Sequence, residues 1–418
     1  MNTIQDKINA AQGAALNRPP FCSGVINLDD QSPKLFYERQ DKTAGFMSLA
    51  SATTAQLEDL NNACRPANFK LDDRDVYSGP YIKAKKLGVD HFATNFDLHT
   101  FNIANMVRKG LLQGPNQNKP IEAQFHELNM YGRLSGAFAQ RYTPQRKVFA
   151  SLVICFPTPH QGGNFIFHHD GEEYSFDSSD ILSKAETPSA ACVAFYSDVE
   201  HEIAPITSGY CLTLTYDLLY VEGKKHTSLG PSLTMVTQSI PEASLLQAAI
   251  VNLLQDDRVL PDGGYFGFGF RFTYPAFIQK ESDDSSDSPE PGLQDVLNQL
   301  QGSDALLKQV CDTLSLSITA EVVLDTDDGS FMLVSEMIEC QVEAGWEEVV
   351  ASDCDGREVF NWERESAGNG DEVIMWVTPR TAFPTFDTTY IIPDYKRPSV
   401  EHTGRYLFGG EGWTSRST

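Results

Sequence analysis

Positive charge is scarce in this chain. Its 418 residues hold 32 Lys and Arg against 57 Asp and Glu, a formal net charge of −25. A protein whose main task is gripping nucleic acid or anionic lipid needs a basic footprint, so both roles are disfavoured. Long apolar runs are missing too. None approaches the roughly 18 residues of a membrane span. The first twenty residues, MNTIQDKINAAQGAALNRPP, lack the apolar core of a secretory signal. An intracellular home is expected, in the cytoplasm, with the nucleus open. The eight cysteines form no C-x-x-C pair, and several sit inside apolar runs. They read as buried free thiols in a reducing compartment, not as a zinc site. Phosphate-loop and nucleophile-elbow patterns are also absent: no Gly-Lys context follows Gly162-Gly163 or Gly263-Gly264, and no G-x-S-x-G surrounds Ser208.

What is present is an ordinary globular composition, 41% hydrophobic and 21% charged. The length predicts two or three domains, or one core with an appendage. Residues 1–20 read as a flexible terminus, and 21–120 as a mixed region with a threonine-capped helix at 53–64 (TTAQLEDLNNAC). From Ile121 the texture is short strands. IEAQFHELNMY alternates weakly, VFASLVICF is a continuous apolar run, and GGNFIFHH-DG-EEYSFD reads as a hairpin around Asp170-Gly171. ACVAFYSD and YCLTLTYDLLY follow as strands. Strands at this density with no helix between them predict an antiparallel sandwich or jelly roll over 121–222. Residues 223–418 read as an α+β region. It has a helical stripe in SLLQAAIVNLLQDD, a Gly/aromatic strand YFGFGFRFTY, an acidic solvated loop at 280–292, a helix SDALLKQVCDTL capped by Ser303, and strands ITAEVVLD and FMLVSEMIECQVE.

Four histidines gather around the hairpin and the next strand: His160, His168, His169 and His201. His168-x-Asp170 with His201 has the composition of a 2-His-1-carboxylate iron site. The same residues also read as a polar hairpin tip facing water. His126 and His160 are further imidazoles, with no partner at a telling spacing.

IEAQFHELNMY, FASLVICFPTPHQGGNFIFHHDG and VAFYSDVEHEIAPITSGYCLTLTYDLLY together resemble the iron(II)/2-oxoglutarate oxygenase domain of the prolyl 4-hydroxylase type, nearest to a group of large, mostly fungal members. ANFKLDDRDVYSGPYIKAKKLGVDHFATNF before the core, and LPDGGYFGFGF and LQGSDALL after it, extend the resemblance over most of 20–330. It implies a mainly β fold, a double-stranded β-helix (jelly-roll) core with helical flanks and a C-terminal α+β extension. It implies an H-x-D motif, a second His in F-Y-S-D-x-x-H-E, and an Arg in G-Y-R-x-T-L that holds 2-oxoglutarate, with a hydroxyl two positions on. His201 matches the second His, and Thr213 the hydroxyl. Counting from Tyr131 without gaps, the first His falls on Gln140, the Asp on Tyr142, and the Arg position on Cys211.

Two of three iron ligands and the anchoring cation are therefore replaced. Gln140 is a weak ligand, Tyr142 brings no carboxylate, and a thiol cannot make the charge-assisted fork of Arg. The first expectation is a pseudo-oxygenase: no resident cofactor, and a pocket around Gln140, Tyr142 and His201 reused for non-oxidative small-molecule chemistry or ligand binding. Two alternatives stay open. One is an active hydroxylase with iron(II) held by His168, Asp170 and His201 and with 2-oxoglutarate as co-substrate. The other is a non-catalytic partner of an active paralogue. A small molecule is the expected ligand, without nucleic acid or membrane, and a homo- or hetero-oligomer is compatible with each reading.

Overall fold

A computed structural model describes residues 3–16, 19–28, 33–67, 69–71, 74–76, 84–140, 148–169, 171–221, 234–235, 243–272, 274, 277–279, 293–325, 330–335, 338–340, 356–362, 372–378 and 390–393. Two compact units emerge. One comprises 19–112 and 116–240, and the other 1–18, 113–115 and 241–418.

The strands and helices are, in chain order, α1 (Ile4–Leu16), β1 (Phe21–Asn27), β2 (Lys34–Glu38), β3 (Ala44–Ser48), α2 (Thr54–Ala63), β4 (Arg65–Pro66), β5 (Phe69–Leu71), β6 (Arg74–Val76), β7 (Lys85–Leu87), β8 (Phe92–Thr94) and α3 (Ile103–Gly110). Next come β9 (Ile121–Tyr131), β10 (Ala137–Gln140), β11 (Val148–Cys155), β12 (His160–Gly162), β13 (Phe165–His169), β14 (Glu172–Phe176), α4 (Ser178–Ser183), β15 (Ser189–Tyr196), β16 (Glu200–Ile203), β17 (Ile206–Gly209), β18 (Cys211–Tyr220) and β19 (Thr234–Met235). The last are α5 (Ala243–Leu254), β20 (Tyr265–Gly269), β21 (Phe277–Gln279), α6 (Gly302–Thr313), β22 (Ile318–Asp325), β23 (Phe331–Val334), β24 (Ile338–Cys340), β25 (Arg357–Asn361), β26 (Val373–Trp376) and β27 (Tyr390–Pro393).

In the first unit an eight-stranded sheet runs β19-β1-β15-β11-β18-β9-β7-β4, and a four-stranded sheet runs β10-β16-β13-β14. Every pairing in both is antiparallel. The sheets pack through aromatic rings: Phe21 stacks on Phe167 at 4.7 Å, and Phe167 lies 5.1 Å from Phe195. The other face of the large sheet is covered by α3. Cys192 Sγ sits 3.6 Å from Met106 Sδ, and the Tyr196 hydroxyl donates to the Leu111 carbonyl at 2.7 Å. Coverage on both faces explains the unbroken apolar runs, since all eight residues of β15 are buried. The hairpin forms as its Asp-Gly predicts, with β13 paired to β14 and Gly171 at φ +75. Gly209 (φ +75) matters more. A Cβ there would run into the Pro159 carbonyl oxygen, so glycine lets β17 turn tightly into β18.

The large sheet is assembled across the boundaries read from sequence. FCSGVIN enters it beside β15, and the short strands β4 and β7 extend its far edge. Local patterning cannot foresee such pairings, because strand partners are chosen by tertiary packing. The α2 helix carries a full capping box between Thr53 and Gln56.

In the second unit, β20-β26-β25-β23-β22-β27 close into a barrel around Tyr265, Val323, Phe331, Leu333, Val359 and Ile374. Residues 4–16 are helical, which corrects the expected loose terminus. Thr3 and Asp6 cap the helix reciprocally at 2.7 and 3.0 Å, and Ile8, Ala11 and Ala15 are buried along one face. That face is built mostly of alanine, too weak a stripe to read as amphipathic. The expected stripe of α5 is half used: Leu246, Ile250 and Leu253 are buried, while Leu245 is 61% exposed. Ser303 is not the cap of α6. The N-cap is Gln301, and Ser303 lies inside the first turn. Loop 280–292 lies outside the described residues. Among the described residues no helix is long and apolar enough to cross a membrane.

Candidate functional site

The inner face of the first unit is defined by its register. Along β15 the residues Phe195, Val193 and Ala191 point inward, and their partners on β11 are Ser151, Val153 and Cys155. Across β18 the row continues through Asp217, Thr215 and Thr213, with Cys211 two residues further. Asn129 faces Thr213, and Tyr131 faces Cys211.

His201 is the paired residue of Gln140 across β16 and β10. Residues directly opposed in antiparallel strands have Cα atoms about 4.5–5.5 Å apart. His201 is 8% exposed, and its ring lies 4.5 Å from that of Phe195. Its Nδ1–H donates to the Val199 carbonyl at 3.1 Å, which leaves Nε2 with the lone pair. Burial lowers its pKa to about 4, so the imidazole is neutral at physiological pH.

Cys211 is 2% exposed at the start of β18. Its thiol is pushed well above its ordinary pKa, first by the hydrogen bond with Cys155 and then by burial. Ser178 Oγ stands beside it, and Ser178 is 1% exposed. The position therefore holds a neutral thiol beside a second thiol and a hydroxyl, with Tyr131 opposite it in the register. Thr213 is fully enclosed, facing Cys155 on one side and Asn129 on the other.

The rearranged set is not brought together on one face. His201 pairs with Phe167, whose side of β13 is buried; His168 is on the opposite side, between Glu200 and Glu173. Asp170 and Tyr142 lie outside the described residues, as do Arg141 and Arg146. His160 sits on β12, and its Nδ1 donates to the Thr158 carbonyl at 2.7 Å.

Iron(II) and 2-oxoglutarate are the groups that the sequence resemblance implies, and the described residues at the matching positions, Gln140, His201 and Cys211, bring one histidine and no cation. Among the described residues no three His, Cys, Asp or Glu side chains converge to hold a metal. A neutral thiol at 211 gives a distal carboxylate nothing to pair with.

One further cluster went unread in sequence. His126 Nδ1 donates to Asp217 Oδ2 at 3.1 Å, Lys86 Nζ meets Glu127 Oε2 at 3.0 Å, and the Asn129 amide donates to Glu127 and Thr215. A β-bulge creates it: Thr215 pairs with Glu127 and Tyr216 with Phe125, leaving His126 as the extra residue. The sequence signal was the weak alternation of IEAQFHELNMY.

The chain matches no protein-family model, and no curated protein matches it in sequence. Among solved structures, it is similar to a prolyl hydroxylase from Trichoplax adhaerens in complex with a hypoxia-inducible-factor oxygen-degradation-domain peptide. The identity is 14% and the TM-score 0.29, over 52% of this chain and 92% of that one. An oxidoreductase of the 2OG-Fe(II) oxygenase family from Burkholderia pseudomallei matches at 14% identity and TM-score 0.19, over 23% of this chain and 44% of that one. A Pseudomonas putida prolyl-4-hydroxylase matches at 19% identity and TM-score 0.19, over 25% and 59%. The chain thus spans less than two thirds of the length of the latter two.

Proposed function

We propose that the two antiparallel sheets of the first unit are a jelly-roll core of the iron(II)/2-oxoglutarate oxygenase type whose metal and co-substrate anchors have been replaced. On this reading the interior binds or converts a small molecule without oxidation. The observation that supports it is the register of β10 on β16. Gln140 pairs with His201, the two positions where the family resemblance expects iron-binding histidines. The thiol of Cys211, enclosed beside Cys155, supports the loss of the carboxylate anchor. His168 on the far side of its strand argues against the rearranged iron set.

The test is metal analysis of the purified protein together with a succinate assay on 2-oxoglutarate. Weak iron(II) binding and succinate at the level of a protein-free blank are expected. Gln140→His with Tyr142→Asp should raise iron(II) affinity sharply, read by calorimetry, because two proper ligands then replace two poor ones. Succinate release that disappears in His201→Ala would overturn the reading.

A further inference from the structure

We infer that His126 is the acid–base group of a site for a small, uncharged hydroxy-carbonyl compound, with Asp217 as its positioning residue. This deepens the proposed function and rests on the inner face being a reused pocket.

The placement comes from one row of the large sheet. Phe195 pairs with Ser151, Ser151 with Asp217, and Asp217 holds His126. His201 lies over Phe195. Strands are spaced about 4.8 Å apart, so Asp217 is roughly 10 Å along the row from Phe195. The row also changes character along its length. At the Phe195 end it is aromatic and closed. At the other end Ser151 and Thr215 are partly exposed, and the His126 side chain is half exposed. The base thus sits where solvent and ligand enter.

The hydrogen bond to Asp217 occupies Nδ1, so Nε2 is the nitrogen turned away from the carboxylate and able to take a proton. The charged groups around the ring are Asp217 on β18, Glu127 on its own strand and Lys86 on β7. Asp217 and Glu127 outweigh Lys86, and Lys86 is already engaged by Glu127. Among the described residues around the ring no cation is spare for a carboxylate or phosphate, and the chain's net charge of −25 also disfavours anions. What remains for recognition is the neutral set Asn129, Thr215 and Ser151, which suits hydroxyl and carbonyl oxygens. The hydrogen bond to Asp217 raises the imidazole's pKa above its usual 6.5, and an imidazole held this way can take a proton at Nε2 and give it back.

The step needs no co-reactant. Nε2 takes a proton from the carbon that bears the hydroxyl. That C–H electron pair becomes the C=C bond of an enediol. A proton returned to the former carbonyl carbon makes the new C–H bond, and the hydroxyl proton passes to the other oxygen. Electrons and atoms balance within the substrate.

The experiment incubates the full chain in D2O with dihydroxyacetone, D-glyceraldehyde or hydroxyacetone and follows loss of C–H signal by proton NMR. Exchange above a protein-free blank is expected with at least one probe. His126→Gln should lose about 100-fold or more of it. Asp217→Asn should move the half-maximal pH downward and lower the plateau, an effect that a merely structural role would not produce. No exchange with any probe, or exchange undiminished in folded His126→Gln, overturns the inference. Succinate release in the earlier assay would instead sink the non-oxidative reading on which this inference rests, and that readout is separate from the exchange signal.

Discussion

Cys211→Arg is the sharpest perturbation of the proposed pocket. It restores the guanidinium that the family resemblance expects, in a position 2% exposed and hydrogen-bonded to Cys155, with Ser178 alongside. Two costs act together. Overpacking a filled site costs about 1–3 kcal/mol. An enclosed cation without a counter-charge costs several more, on the order of 3–5 kcal/mol. The sum is roughly 4–8 kcal/mol. For a unit of this size each kcal/mol lowers the melting temperature by about 2–4 °C, so a drop on the order of 10–25 °C is expected. A dicarboxylate that pairs with the new Arg should restore part of it, about 2.7 kcal/mol at a hundred times its Kd. The assay is thermal melting of wild type and variant, each with and without 2-oxoglutarate. A ligand-free variant that melts within about 2 °C of wild type would refute the reasoning, since Cys211 would then not be enclosed. Wild type should show no 2-oxoglutarate shift.

Two other outcomes follow from single side chains. Asp304 accepts from the Arg271 and Phe272 amides and the Tyr274 hydroxyl at 3.1–3.2 Å, yet burial raises its pKa to about 7. The folded chain therefore holds a proton there that the unfolded chain releases near pH 3.8. Stability should fall as pH climbs from about 4 to 7, by an amount on the order of a few kcal/mol. Asp304→Asn should flatten that slope in urea titrations; an unchanged slope would contradict it. Thr53→Ala removes the capping box of α2 and should cost about 1 kcal/mol, read by the same titrations.

Legibility in sequence tracked how local each determinant is. The α2 cap and the Asp-Gly hairpin are decided within a few residues, and both formed where the sequence reading put them. The α1 helix was missed because its buried face is mostly alanine, and the barrel because parallel pairs such as β25–β26 join strands without a hairpin signal. At the site, Gln140 and His201 were linked by family spacing, a long-range clue that patterning lacks. His126 shows no partner at a telling spacing in the sequence. Its bulge flips the side-chain parity of β9, so the histidine reaches Asp217 only once β18 is paired alongside.

The division of the chain also bears on how it is made. The unit that holds the site is inserted within the other, whose first helix, α1, precedes it and whose remaining elements follow from 241. During synthesis at about 5–20 residues per second, β1 must wait for β15 to emerge, on the order of ten seconds or more. Over that interval FCSGVIN is an apolar segment with neither its strand partner nor the Phe167 ring that covers Phe21. α1 waits longer still, for α5. Nascent-chain binding factors should find their strongest footholds at these two early segments, and slowed translation between β1 and β15 should lower soluble yield more than slowing anywhere after β18.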